Sequence, residues 1–523
     1  MGDEILAAFG ARGETAWEQW RVARVPPASL VALARALPPG YRITAVHPPL
    51  LCAYPGEGPA ATNAASYRDG GADGSGLTIA ILDGGFGYLA LSQAHGDAPA
   101  TYESMNFTAE PIDAGTYDHG TNCVEVIYDY CPGAQYRLYK TATNKQWGPA
   151  VDDMIAHGVD ILSLSVGSTG AGWPDNSGVV NQAVNRAADH GILVFCSVGN
   201  WARQHWEGTF TPLATDPAWH DFGGGDRYLQ VELLPDRDMR AFLQWDNSGG
   251  VCDYDIYLYD AGLALLDYAA GGGADPEELG YLNQTGYLQT LDLSVRKHSG
   301  VNALCELYAI GCDWKEHIVP SGSNMAPANS THPLVLAVGA VSWLDFASPN
   351  GSDGVLVDDS SQGPSNGGMV LPDLVAPTNT TVAWDQPNLR AFGATSGAAA
   401  NAAGAAGAFY SADPSQDPYA VAWLLQQQAL AWRDWGAAGA DNRYGHGGIQ
   451  VYEYASGTLW LARAFGNTGD LRAFPLYHVA AAQILASPGG RLVFLLGGAY
   501  PETVTLTTPL RFEAAAGMVT IGP

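Results

Sequence analysis

Short apolar runs rich in β-branched residues alternate with helical patterns along much of the chain. "LTIAILD" (77–83), "VDILSLSVG" (159–167) and "ILVFCSVGN" (192–200) are runs of the kind that buried parallel strands show. Between the last two, "SGVVNQAVNRAADHG" spaces its apolar residues helically and ends at Gly191. Strands that alternate with helices predict an α/β fold with a doubly wound parallel sheet.

The pattern changes near residue 223. "YLQVELLP", "MRAFLQWDN", "YDIYLYD" and "GYLQTLDLSV" alternate apolar and polar positions between turn residues, which is typical of antiparallel strands with one wet face. The α/β pattern returns at "HPLVLAVGAVSW" (332–343). We therefore expect an all-β module, a β-sandwich, at 225–315, inserted into an α/β domain that spans 61–455.

The two ends differ from this domain. Residues 1–60 contain one helical pattern, "PASLVALARALPPGYRI", before a Pro/Gly-rich stretch, and they are a candidate remnant of a pro-segment. In the tail, 456–523, apolar alternation between turns suggests strands that form one or two coils of a β-helix. The first twenty residues lack the basic start and apolar region of a signal peptide, so either the protein stays inside the cell or a leader has been removed.

Composition excludes some classes of function. Acidic residues outnumber basic ones by 53 to 24, and this argues against nucleic-acid binding, which needs clustered Lys and Arg. No apolar run is long enough for a membrane span. The seven cysteines show no metal-binding CxxC pattern; Cys123 with Cys131 and Cys305 with Cys312 are either disulfides or small buried thiols.

Three polar residues occupy positions at which an α/β fold carries its active site. Asp83 ends the strand "LTIAILD", His119 opens "DHGTNCVEVIYDY", and Ser396 opens the run "GATSGAAANAAG". Each has an ordinary explanation: a turn residue for Asp83, a structural histidine, and a helix N-cap for Ser396. Their order, Asp then His then Ser, is the order of the subtilisin triad, which favours a shared chemical role.

With five motifs in order over 61–455, the chain resembles the subtilases, the subtilisin-like serine proteases. "TIAILDGGF", "DHGTNCVEVI" and "GATSGAAANAAG" resemble the motifs that carry the family's Asp, His and Ser, and "FCSVGN" resembles the segment with its oxyanion asparagine. "SSQGPSNGGMVLPDLVAPT" (360–378) is similar to a further typical stretch, and "ILSLSVG" to the strand beside bound substrate.

The resemblance implies a serine endopeptidase in which Ser396 is the nucleophile, His119 the general base and Asp83 its orienting partner. It places an oxyanion donor on Asn200 and a specificity-pocket wall on Ser165, Val166 and Gly167. It also implies secretion, and peptide or protein substrates. We expect a monomer.

The motif around the serine departs from the family pattern. Ala400 occupies the place of the usual proline, Asn401 that of the following histidine, and Ala394 lies between Gly393 and Thr395. Loss of the proline is expected to loosen the backbone. The alternative hypothesis is an inactive homologue that serves as a binding or scaffold protein.

No cofactor is expected, although a structural calcium ion remains an open alternative. Carboxylates in the β module, Asp246, Asp253, Asp255 and Asp260, are suitable calcium ligands, and a solvated edge of turn acids is the simpler explanation. His205, His220 and His317 fit no zinc spacing and are interpreted as structural.

Overall fold

The structure of the chain is a computed structural model. It describes residues 54–451 apart from 169–172, 174, 273–275 and 347–353, residues 8, 12–17, 20–24 and 29–37 near the start, and residues 458–461, 491–494, 498–500, 511–514 and 519–521 in the tail. By its contacts the chain divides into one unit of residues 1–53 and another of residues 54–523.

The first unit contains a short antiparallel pair and a helix. Strands β1 (Arg12–Trp17) and β2 (Trp20–Arg24) pair with each other, and helix α1 (Leu30–Ala36) lies within the segment whose pattern predicted a helix. The strand pair was missed because its short runs show no clear alternation. A pro-segment origin stays a prediction.

The second unit begins with alternating strands and helices. In chain order they are α2 (Gly58–Ala61), α3 (Ala65–Asp69), β3 (Thr78–Asp83), α4 (Leu89–His95), β4 (Glu103–Asn106), α5 (His119–Tyr130), β5 (Gln135–Lys140), α6 (Trp147–Ala156), β6 (Ile161–Leu164), α7 (Val179–Asp189) and β7 (Leu193–Ser197). A single 3₁₀ turn, Asn144–Gln146, precedes α6.

Antiparallel strands then interrupt this alternation. They are β8 (His205–Thr209), β9 (Pro212–Leu213), β10 (Asp216–His220), β11 (Leu229–Leu233), β12 (Asp238–Trp245), β13 (Asp253–Asp260), β14 (Leu265–Ala269), β15 (Glu277–Leu282), β16 (Gln289–Ser299), β17 (Leu304–Ile310) and β18 (Asp313–Trp314). They form two sheets, and one of these has the order β15-β12-β17-β8. A second apolar core, from Trp206 to Trp314, lies among these strands. Antiparallel structure therefore starts at His205, before the expected 225, because β8 pairs with β17 from the far end of the module.

The chain then returns to the α/β arrangement and ends in short strands. The remaining elements are β19 (Val335–Ser342), α8 (Trp343–Phe346), β20 (Leu374–Thr378), β21 (Thr380–Val382), β22 (Arg390–Phe392), α9 (Ala394–Ser411), α10 (Pro418–Arg433), β23 (Thr458–Leu461), β24 (Arg491–Phe494), β25 (Gly498–Tyr500), β26 (Arg511–Ala514) and β27 (Val519–Ile521). The tail strands pair in parallel, β23-β24-β26 and β25-β27, as successive coils of a β-helix would.

A parallel sheet forms the centre of the α/β part. Within residues 54–451 its order is β20-β19-β7-β6-β3-β5-β4, and each pair is parallel. The predicted strands at β3, β6, β7 and β19 are confirmed, as is the doubly wound α/β class. No helix in the described part of the chain is long and apolar enough to cross a membrane.

Helix α9 carries the Ala/Gly run through the middle of this structure. It packs against β6, β7, β19 and β20 of the sheet and against α5, and nearly all of its residues are buried. Its closest approach to α5 depends on Gly404, because a Cβ there would lie 2.5 Å from the ring of Tyr130. Small side chains thus allow α9 to lie deep among the strands.

All six described cysteines are free, buried thiols. Cys123 and Cys131, and Cys305 and Cys312, are therefore not disulfides in this structure, and the thiol interpretation holds for both pairs. Cys131 donates a weak hydrogen bond to the Gly404 carbonyl at 3.4 Å. Cys52 lies outside the described residues.

Substitution of Gly404 by Ala tests the close packing of α9. We expect Gly404→Ala to lower the free energy of unfolding by about 1–3 kcal/mol, because the new methyl group overlaps the base of the Tyr130 side chain. The matched control is Gly148→Ala in α6, where a Cβ meets nothing within 4 Å and helix propensity favours Ala by up to about 1 kcal/mol. Denaturant unfolding of both variants measures the difference; a Gly404→Ala protein as stable as the wild type would contradict the packing.

Candidate active site

Three neighbouring strands of the parallel sheet place polar residues at their carboxyl ends, along one edge of the sheet. Asp83 is the last residue of β3, Ser165 follows the end of β6, and Asn200 follows the end of β7. Since the strands are parallel and adjacent, their carboxyl ends lie side by side.

The Asp83 carboxylate is fully buried and has two different sets of partners. Its Oδ1 accepts the N–H of Gly84 at 2.7 Å, and its Oδ2 lies 2.6 Å from Nδ1 of His119. A buried carboxylate needs such partners to remain charged. Asp83 is therefore a turn residue and a partner of His119 at once.

The start of helix α5 is fixed against the loop after β3. The Gly120 N–H donates to the Gly85 carbonyl at 3.0 Å, and the Thr121 hydroxyl donates to the Gly87 carbonyl at 2.8 Å. A Cβ at position 120 would lie 2.6 Å from the Gly85 oxygen, so glycine is required for this approach. The residues after His119 thereby hold the imidazole over Asp83.

His119 links Asp83 to Ser396. Its Nε2 lies 3.0 Å from the Ser396 hydroxyl oxygen, and its ring contacts the rings of Tyr117 and Phe392. Because the Asp83 carboxylate accepts a hydrogen bond from Nδ1–H, the neutral imidazole has its lone pair on Nε2, facing the serine hydroxyl. The three residues predicted from the sequence thus form one hydrogen-bonded chain.

Ser396 is the third residue of α9 and only 6% exposed. Gly393, not Ser396, is the N-cap, so the N-cap interpretation of Ser396 was wrong. Ala394 has φ of +57°, a conformation that glycine adopts most easily, so it replaces the glycine of the Gly-Thr-Ser motif rather than being inserted into it. The strain is of the order of 1 kcal/mol, and the Thr378 hydroxyl donates to the Ala394 carbonyl at 2.6 Å.

Ser165, one of the three residues expected to form the substrate wall, contacts Ser396 directly. Its hydroxyl donates to the Ser396 carbonyl at 3.1 Å, and its own carbonyl lies 3.3 Å from the Ser396 hydroxyl oxygen. Val166 is half-buried and Gly167 is exposed. The Ser165 side chain therefore anchors the nucleophile segment, and a substrate wall at Val166 and Gly167 stays a prediction.

Asn200 is held by the residue before Ser396. Its Oδ1 accepts the Thr395 N–H at 3.0 Å and the Thr395 hydroxyl at 2.6 Å. These two bonds fix the amide orientation, since only the oxygen can accept both. Within the described residues, the Asn200 Nδ2 and the Ser396 N–H have no hydrogen-bond acceptor, and both can donate to an anion beside Ser396.

The two departures after the serine do not loosen the helix. Helix α9 runs without a break from Ala394 to Ser411, so Ala400 continues it where proline would remove an N–H. Asn401 is fully buried; its Nδ2 donates to the Gly397 carbonyl at 2.9 Å, and its Oδ1 accepts the Tyr130 hydroxyl at 2.9 Å. Asn401 ties α9 to the end of α5, and this bond opposes the looser backbone expected from the loss of proline.

The pKa of His119 reflects two opposing effects. Burial of the imidazole lowers its pKa, but the nearby Asp83 carboxylate, with a smaller contribution from Asp118, raises the pKa above the ordinary value. A raised pKa means that the imidazole becomes neutral, and able to accept a proton, only at a higher pH than an isolated histidine.

The other residues selected from the sequence lie in the β module. Asp246 and Asp260 accept N–H groups within tight turns, and Asp253 and Asp255 lie on β13. Calcium binding by these acids stays the alternative to a solvated edge of turn residues. His220 Nδ1 accepts the Thr211 N–H, and His317 Nε2 lies 3.2 Å from an Asp226 carboxylate oxygen.

Titration of His119 tests this electrostatic balance without any activity assay. In Asp83→Asn the pKa of His119 should fall below the wild-type value and below about 6.5, because burial remains and the carboxylate is lost. Asp118→Asn is the matched control and should lower the pKa by less. Imidazole ¹⁵N chemical shifts followed against pH give all three values; an unchanged pKa in Asp83→Asn would refute the pairing.

Comparison with known proteins identifies the family of the chain. The profile of the family described as Peptidase_S8, the subtilase family, matches residues 74–215 and 317–447, just over half of the chain. The unmatched gap falls in the antiparallel module. No curated protein sequence matches the chain.

Several solved structures are similar. The CspB protease of Clostridium perfringens has a TM-score of 0.54 at 13% identity, over 75% of this chain and 97% of that one. Sphericase has a TM-score of 0.40 at 17% identity, over 73% and 93%. MycP1 from Mycobacterium smegmatis has a TM-score of 0.41 at 15% identity, over 79% and 88%. The likeness to CspB concerns the fold, and the family follows from the profile match. The chain belongs to the subtilase family of peptidases.

Proposed function

We propose that this protein is a serine endopeptidase that cleaves peptide bonds through an acyl-enzyme on Ser396. The observation that carries the proposal is the hydrogen-bonded chain from Asp83 Oδ2 through both nitrogens of His119 to Ser396 Oγ, at 2.6 and 3.0 Å. A serine hydroxyl is a weak nucleophile near neutral pH, and a neutral imidazole in this position is the base it needs.

In the proposed first half-reaction, Ser396 Oγ attacks the carbonyl carbon of the scissile bond while its proton moves to His119 Nε2. Asp83 stabilises the imidazolium that forms and remains ionised. The tetrahedral intermediate then collapses as the C–N bond breaks, and the imidazolium returns the proton to the leaving amine. In the second half-reaction, water attacks the ester with the same base, which releases the new carboxylic acid and restores Ser396.

We assign the oxyanion to the space beside Asn200 and the start of α9. The Asn200 Nδ2 and the Ser396 N–H are two free donors near the nucleophile, and the helix N-terminus favours negative charge there. Thr395 contributes by holding the Asn200 oxygen, which leaves Nδ2 available to donate to the oxyanion. Preorganised donors of this kind stabilise the transition state because they need no rearrangement when the charge develops.

We assign substrate binding to the stretch that follows β6. Among the described residues, the backbone groups of Val166 and Gly167 take part in no backbone hydrogen bond, and Gly167 is exposed. An extended peptide can pair with such free groups by adding a strand. The protein's acidic character is compatible with neutral or basic peptides. Because the family resemblance implies secretion, the proposal includes action outside the cell.

Cleavage of a peptide library at pH 8, analysed by mass spectrometry, tests this function. The wild-type chain should cut within peptides, and Ser396→Ala should lose at least about 10⁴-fold in kcat/KM, since the nucleophile is gone. Asn200→Ala should lose about 10²–10³-fold in kcat with little change in KM, the size that loss of one such donor has in subtilisin.

Ser411→Ala is the matched control for Ser396→Ala. Ser411 lies at the other end of the same helix, where its hydroxyl bonds only to the Ala408 carbonyl and the Gly74 N–H, so activity should stay at the wild-type level. A folded wild-type protein that cuts no peptide would overturn the proposal and favour the scaffold hypothesis. Equal cleavage by wild type and Ser396→Ala would exclude this nucleophile.

A further inference from the structure

A second cluster of chemically active side chains lies in the β module, away from the triad. His205 and Glu207 are on β8, and Glu306 is on β17. One ligand atom from each residue lies within 4.8 Å of the other two. His205 and Glu306 are fully buried, and Glu207 is partly buried.

The register of the sheet creates this cluster. On β8, His205 and Glu207 are two positions apart and share one face, and Glu306 is the cross-strand partner of Glu207. On the next strand, β12, Gln244 pairs with Glu306 and its amide donates to Glu306 Oε2 at 2.5 Å. Two ionised carboxylates directly opposite each other in a buried sheet repel, so the arrangement favours either a bound cation or a proton shared between them.

The histidine is oriented as a metal ligand. Its Nδ1 lies 2.7 Å from the Val319 carbonyl, which can only accept, so Nδ1 carries the proton and Nε2 the lone pair. The Nε2 is buried and has no hydrogen-bond partner, and neither has Glu306 Oε1. The Asn366 amide lies beside Glu306 but makes no hydrogen bond of good geometry to it.

Acceptor atoms are therefore concentrated in this cluster. Nε2 of His205 and Oε1 of Glu306 have no hydrogen-bond donor among the described residues, and both residues belong to the cluster that Glu207 completes. Unsatisfied buried acceptors are costly, and a cation between them would satisfy all three at once. We propose that His205, Glu207 and Glu306 bind a divalent transition-metal ion, with Zn²⁺ as the best match to one imidazole nitrogen and two carboxylates.

The site's position in the chain indicates a structural role for the ion. His205 starts the first strand of the module, Glu306 lies on one of its last strands, and Val319 lies on the segment that returns to the α/β part. An ion held by β8 and β17 would join the two ends of the module where they meet. This site could not be predicted from the sequence, because a separation of 99 residues between Glu207 and Glu306 fits no local zinc motif.

Metal binding to the full chain tests the proposal independently of proteolysis. After treatment with EDTA and its removal, the Ser396→Ala protein should bind one Zn²⁺ per chain by isothermal titration calorimetry and elemental analysis. Zn²⁺ should raise the Tm by roughly 5 °C at saturating concentration, whereas Ca²⁺ and Mg²⁺ should not, because they disfavour a nitrogen ligand.

Glu306→Gln is the decisive variant, because it removes the charge and keeps the shape of the side chain. Zn²⁺ affinity should fall at least about 100-fold, while the metal-free variant should unfold at or above the Tm of the metal-free parent, since the glutamine amide can donate to the neighbouring acceptors. Glu316→Gln is the matched control, because Glu316 belongs to a more exposed Asp226–Glu316–His317 group, and it should bind Zn²⁺ as the parent does.

Three results would overturn the proposal. They are the absence of Zn²⁺ binding by the folded parent, undiminished binding by Glu306→Gln, and loss of binding in Glu316→Gln alone. The first would mean that a shared proton between Glu207 and Glu306 satisfies the cluster, and the last would place the ion at the exposed group. None of these results bears on whether Ser396 cleaves peptides.

Discussion

The close packing of helix α9 among the strands is the constraint on which the active site depends. Asp83 ends one strand, Asn200 follows the end of another, and His119 opens a helix fixed to the loop after β3, so these groups are positioned by the sheet. Ser396 comes from a different part of the chain. The small side chains of α9 let it lie close to α5, β6 and β7, and the Ser396 hydroxyl in its first turn lies 3.0 Å from Nε2 of His119.

This packing also explains how the chain tolerates an altered nucleophile motif. Ala400 extends the helix, and Asn401 uses its amide to bond both to its own helix and to Tyr130 at the end of α5. The two helices that carry His119 and Ser396 are thereby joined by a buried hydrogen bond as well as by apolar contact. Ala394 holds a left-handed conformation because Thr378 and the N-terminal turn of α9 fix it on both sides. The strain at Ala394 is small beside the burial of an 18-residue helix.

Much of the fold could be predicted because buried parallel strands leave a strong local signal. β3, β6, β7 and β19 were recognised as apolar runs, and Asp83 was identified because it ends one of them. The order of Asp83, His119 and Ser396 along the chain indicated a shared chemical role, which no single residue could indicate. Contacts that depend on strand register, or on the packing of segments far apart in the sequence, left no such local signal. The bond from Tyr130 to Asn401 joins residues 271 positions apart, and Glu207 meets Glu306 only through the pairing of β8 with β17. Ser165 was expected in the substrate wall, and its role as an anchor of Ser396 depends on side-chain direction, which a strand pattern does not specify.

The account rests on the claim that His119 activates Ser396 in this geometry, and covalent labelling measures that activation most directly. A fluorophosphonate reacts with a serine only when the hydroxyl is activated, so peptide mass spectrometry of the treated native chain reports which serine is the nucleophile. We predict one label per chain, on Ser396, with labelling lost after urea denaturation and slowed in Asp83→Asn. A correctly folded chain that takes up no label, or takes it up on another residue, would contradict the account.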